Sequence, residues 1–116
     1  MRIGLKRAYE APGREDGLRI LVDRLWPRGL GKDQAGIDLW LKEIAPSNEL
    51  RKWYGHEPEK WEEFCRRYFV ELEARPEVVD QLRKQIRTDP CTLVFAARDT
   101  EHNNAVALKE YLERNG

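Results

Sequence analysis

The sequence predicts an α/β fold: a small open sheet with central parallel strands, flanked by helices in Rossmann-like layers. Three observations carry this. Two short apolar runs rich in branched residues, LRILVD (Leu18–Asp23) and CTLVFAA (Cys91–Ala97), have the pattern of strands covered on both faces. The stretch from 25 to 90 between them is mostly helical in periodicity and long enough for a crossover. A further amphipathic segment follows the second run, so the order is β, β, several helices, β, α.

Taken along the chain, Arg2 to Tyr9 is expected as a strand with Ile3 and Leu5 on one side, and APGREDG, with its Pro and two Gly, as a surface turn. Ile37 to Ile44 is expected to form a short helix. Ser47 is the expected N-cap of a second helix that ends near Gly55. Pro58 suits the first turn of a third, in which Trp61, Phe64, Cys65, Tyr68 and Leu72 form one apolar stripe against a charged back. Pro76 opens a fourth, with Val79, Leu82 and Ile86 facing inward, and Asn103 to Arg114 forms the last.

The 116 residues make one domain, 1–116, large enough to fold without a metal or disulfide, and no linker or repeat divides them. A composition 41% hydrophobic and 36% charged suits a soluble globular protein with a densely charged surface. No window spans a bilayer, and Met1 to Lys6 lacks the apolar core of a signal peptide, so the expected location is the cytoplasm and no membrane partner is expected. Cys65 and Cys91 stand in apolar contexts without metal-ligand spacing and are expected as reduced, buried hydrophobes. The 21 basic and 21 acidic residues cancel, so a sequence-independent grip on nucleic acid has no support from net charge. Nothing in the sequence sets an oligomeric state.

Ligands of open α/β sheets bind outside the carboxyl ends of the strands. Here those ends open into DRLWPRGLGK and RDTEHNN. The first loop brings Asp23, Arg24, Trp26 and Arg28, pairing cations with a stiff aromatic corner and with glycines that let backbone approach a ligand. The second brings Arg98, Asp99, His102, Asn103 and Asn104, the last of them at a helix N-terminus that favours an anion. A third segment, APSNELRKWYGHEPEKW, adds Arg51 and His56. Each residue also has a plainer reading. Asp99 or Thr100 would serve as a helix cap with Glu101 compensating the dipole, Asp23 and Arg24 as an internal ion pair, Trp26 as a packing corner, and His56 as a histidine favoured by a helix C-terminus. Convergence of the two loops at one edge is what favours a site.

The words VDRLWPRG, WLKEIAPS, LRKWYGH, KWEEF and AARDTEHNNAVALKEYL, in order from about Leu18 to Leu112, resemble the YeaO-like branch of a bacterial domain-of-unknown-function family, DUF488. The resemblance implies a small cytoplasmic α/β protein and no particular reaction. No Gly-rich strand-to-helix motif of a dinucleotide site is present, so no cofactor is assigned. The wider family looks distantly like rhodanese and low-molecular-weight phosphatase chains, whose strand ends in a nucleophilic Cys. In this chain Arg98 or Asp99 holds that place and Cys91 stands at the other end of the strand, which argues against sulfur transfer and cysteine-phosphatase chemistry.

Two function classes follow. One is an enzyme acting on a small anionic or nucleotide-like compound, with Asp23 or Asp99 and His102 as acid and base, and Arg24, Arg28 and Arg98 holding negative charge. The alternative is a non-catalytic binding module for an anionic ligand or nucleic acid, built on the same arginines. A histidine flanked by carboxylates and amides favours the enzyme. Asp23, Asp99, Glu101 and His102 offer metal ligands, but at no recognised spacing, and no metal is assigned.

Overall fold

Every strand in the sheet runs parallel to its neighbour, in the order β1-β4-β2-β3. The structure is a computed structural model, and it describes residues 3–114. The strands are β1 (Ile3–Arg7), β2 (Leu18–Leu21), β3 (Leu39–Trp40) and β4 (Cys91–Phe95), and the α-helices are α1 (Lys32–Ala35), α2 (Asn48–Tyr54), α3 (Trp61–Glu73), α4 (Pro76–Thr88) and α5 (Asn104–Arg114). Arg2, expected to begin the first strand, lies outside the described residues. None of the described helices is long and apolar enough to cross a membrane.

Period-two alternation along the strands divides the core into two layers. Ile3, Ile20, Cys91, Leu93 and Phe95 face the helices and join Phe64, Tyr68, Leu72, Val79, Leu82, Ile86 and Leu108 in the main core. Leu21 and Val94 face the other way, where Ala8, Trp26, Leu30, Ile37 and Trp40 cover them. The central strand β4 is buried at every position, as its unbroken apolar run requires. Leu5 points to the same side as Ile3 but is 36% exposed, on the edge strand β1.

The helices end where their capping residues dictate. Ser47 Oγ accepts from the Leu50 N–H at 3.1 Å to start α2, and Gly55, with φ of 54°, stops it. Pro58 opens a short 3₁₀ turn that leads into α3, and Pro76 opens α4. The stretch Ile37 to Ile44 corrects the expectation of a helix. Leu39 and Trp40 instead form β3, and a 3₁₀ turn follows over Lys42–Ile44. The free edge of β2 supplies the reason, because Asp38 and Leu41 donate backbone N–H groups to Arg19 O and Leu21 O, and a helix would satisfy neither carbonyl. Cys91 is buried as expected, whereas Cys65 is only half-buried.

Candidate functional site

Parallel strands put the carboxyl ends of β1, β2 and β4 on one edge, and the loops leaving them enclose a crevice of about 850 Å³. Its size is that of a small-molecule site. Every candidate residue lines it: Asp23, Arg24, Trp26 and Arg28 from the loop after β2, Arg51 and His56 from α2 and its end, and Arg98, Asp99, His102, Asn103 and Asn104 from the loop before α5. Lys32, which begins α1, and Thr100 and Glu101 in the second loop are not among the lining residues.

Asp23 ties the sheet together at this edge. Its Oδ2 accepts the Ala96 N–H at 2.9 Å and its Oδ1 accepts Asn104 Nδ2 at 3.0 Å, while the same Asn104 amide donates to Val22 O. One carboxylate therefore joins the ends of β2 and β4 to the start of α5. Burial pushes its pKa above the usual 3.8 despite the bonds from Asn104 and Ala96. The Asp23 to Arg24 ion pair, the plainer alternative to a site role, is absent among the described residues. Arg24 turns away and donates to Ala45 O at 3.2 Å and Pro46 O at 3.4 Å, closing the C-terminal end of the turn that precedes α2.

Asp99 builds the second loop. Its Oδ1 accepts the N–H groups of Glu101 and His102 at 2.9 and 3.0 Å, and its Oδ2 lies 3.1 Å from His102 Nδ1. Those two backbone donors hold its carboxyl below the usual 3.8. The helix cap is neither Asp99 nor Thr100 but Asn103, whose Oδ1 accepts the Val106 N–H at 3.0 Å while its Nδ2 holds Asp99 O at 2.8 Å. With Nδ1 committed to Asp99 and the ring set edge-on to Trp61 at 5.3 Å, His102 keeps Nε2 without a partner among the described residues. Trp26 is the packing corner: its indole N–H donates to Leu30 O at 2.7 Å and its ring meets Trp40 edge-on at 5.5 Å.

The cations of the wall are held differently from its acids. Arg28 stands at the corner of a turn from Pro27 to Leu30, with Gly29 at φ of 77° in the position that demands a left-handed residue. Arg28, Lys52 and Arg98 have no side-chain hydrogen bond or ion pair among the described residues, and Arg51 has one 3.5 Å contact to Asn48. His56 is the one described non-glycine residue with positive φ, at 59°, a conformation histidine tolerates better than most side chains but at some cost. Among the described residues no Ser, Thr or Cys lines the crevice. Among the described residues no three His, Cys, Asp or Glu converge on a common metal position. Burial raises the Cys65 thiol to about 11 and pushes Cys91 up as well, so neither is an activated thiolate.

Sequence reasoning missed Tyr9, Leu25 and Lys52, which also line the crevice. Tyr9 is the second residue beyond β1, so assigning β1 to the same parallel edge would have placed it there.

Comparison with known proteins gives a family and no reaction. The model described as the inactive DUF488-N3 subclade matches residues 2–115. The uncharacterized protein YeaO of Escherichia coli (strain K12) is 40% identical over 112 residues, covering 97% of each chain. The uncharacterized protein Rv3073c of Mycobacterium tuberculosis is 40% identical over 111 residues, covering 96% of this chain and 93% of its own. No solved structure matches.

Proposed function

This chain belongs to the inactive DUF488-N3 subclade, and we propose that its crevice binds a small anionic ligand without transforming it. One observation carries the reading: the crevice presents Arg28, Arg51, Lys52 and Arg98 without carboxylate partners among the described residues, while its own carboxylates are occupied. An arginine or lysine beside a concave, mostly apolar wall keeps its full charge for a ligand, and a guanidinium offers forked donors that fit a carboxylate or phosphate. Proton transfer needs a free lone pair or an acidic hydrogen aimed at the substrate. Asp23 and Asp99 spend both oxygens on backbone and side-chain donors, which favours the binding module over the acid-base enzyme that the sequence motifs favour. The subclade's description as inactive agrees.

A second reading keeps the enzyme, because the Asp99 and His102 pair leaves Nε2 free at the crevice wall, in the arrangement of an oriented general base. The two readings separate experimentally. Calorimetric titration of the purified chain with inorganic phosphate, organic phosphates and carboxylates should detect binding. Arg98→Ala should weaken that binding at least tenfold, and His102→Ala should change affinity alone. Turnover of any bound compound that His102→Ala abolishes while binding persists would establish the enzyme, and failure of every anion to bind would remove both readings.

A further inference from the structure

We infer that the anion this crevice takes is carried on a flat aromatic ring, and that Tyr9 is the platform on which the ring stacks; the inference rests on the anion-binding reading above. Tyr9 is 45% exposed and lines the crevice. An exposed aromatic residue just beyond a strand would ordinarily sample several rotamers, but this one is held at both ends. The Arg7 guanidinium lies 5.3 Å from the centre of its ring, and its hydroxyl donates to Arg28 O at 3.0 Å. Arg7 is itself fixed, donating from Nε to Ala97 O at 3.0 Å and from Nη2 to Ala96 O at 3.4 Å, so the clamp is anchored to the end of the central strand.

Such a clamp gives the fold little. The residue it holds stays nearly half exposed, so the contact buries only part of its apolar area. What it does give is an immobile π-surface, whose ordering cost is already met before any ligand arrives. One side of the ring is taken by the guanidinium, and the exposed remainder is available to a second flat group. The hydroxyl contact also sets Tyr9 beside Arg28, whose own guanidinium has no partner among the described residues. A ring on Tyr9 thus places a charged substituent within reach of a cation, the geometry of an aryl phosphate or aryl carboxylate. Leu25, 63% exposed on the same crevice, would favour any apolar body alike and so does not distinguish flat from saturated ligands.

The test compares inorganic phosphate, phenyl phosphate and cyclohexyl phosphate by calorimetric titration of the full chain. The parent should bind phenyl phosphate roughly two- to tenfold more tightly than the cyclohexyl compound, the range that aromatic stacking supplies beyond buried area. In Tyr9→Leu that ratio should fall to about one. Tyr9→Phe, which retains the ring but loses the hydroxyl bond to Arg28 O, should give a ratio between those of Tyr9→Leu and the parent. Equal affinity for the phenyl and cyclohexyl compounds in the parent, with inorganic phosphate also bound, overturns the ring inference and leaves the anion reading standing. A ratio that survives undiminished in Tyr9→Leu overturns the role given to Tyr9. If none of the three phosphates binds, the anion reading fails and this inference with it.

Discussion

Arg19 and Arg98 carry the same side chain in opposite surroundings. Arg19 is 2% exposed; it donates to Ala35 O from Nε and Nη2, to Glu10 O, and to Asp16 at 2.8 Å. Burial pushes the Asp16 carboxyl up, but the Gly13 N–H and the Arg19 and Lys6 cations outweigh it and hold the group below its usual value. Arg19→Ala would take one of the two cations from that buried carboxylate, leaving it Lys6 and the Gly13 N–H, and would leave three carbonyl contacts unmade, and should cost about 3 kcal/mol in urea unfolding. Arg98 is exposed and has no side-chain partner among the described residues, so Arg98→Ala should change stability by no more than about 0.5 kcal/mol while weakening anion binding. Asp99 adds a pH signature. Because its folded pKa is depressed, its stabilisation is present above the usual value of 3.8 and is lost as the pH falls through the lower folded value. Asp99→Ala should therefore melt below the parent at neutral pH, and thermal scans should show the gap narrowing as the pH drops below about 4.

The elements depend on a few backbone positions that no side-chain pattern reveals. Gly17 turns the chain into β2 with φ of 64°, and a Cβ there would lie 2.1 Å from Pro90 O, the carbonyl that accepts the Leu18 N–H. Gly17→Ala thus meets both a left-handed backbone and a rigid acceptor, and should lower the urea midpoint by the equivalent of more than about 1 kcal/mol. The helices were legible for the opposite reason: Phe64, Tyr68 and Leu72, or Val79, Leu82 and Ile86, repeat at the helical period and are all buried. Capping residues and the prolines fixed their starts. Strand β3 was not legible, because two residues carry no period and Leu39 and Trp40 become a strand only when β2 offers its edge. The function of Asn103 was hidden similarly. Asp99, Thr100 and Asn103 are all good caps by type, and the choice among them depends on where the turn built by Asp99 ends.

At the scale of the whole molecule, the crevice was legible because one rule about parallel strands converts two apolar runs into a shared edge, and the polar words after Val22 and Ala97 then had to meet. Its apolar part was not, since Tyr9 lies beyond β1, outside either polar word, and Leu25 is a single apolar residue inside one of them. The same distribution makes a prediction about salt. The chain is neutral overall, 21 charges against 21, so its unliganded melting temperature should respond weakly to ionic strength. The crevice is not neutral, with Arg28, Arg51, Lys52 and Arg98 facing carboxylates that already have partners. A ligand at about a hundred times its dissociation constant stabilises the folded state by about 2.7 kcal/mol, which for a domain of this size raises the melting temperature by roughly 10 °C. Between about 0.01 M and 0.15 M salt the screening length falls from about 30 to 8 Å, short enough to uncouple an anion from cations ranged around the rim. At a fixed concentration of phenyl phosphate, the thermal shift should therefore contract severalfold over that range while the unliganded melting temperature hardly moves. A shift that persists undiminished would mean that apolar contact with the wall, and not its unpaired cations, holds the ligand.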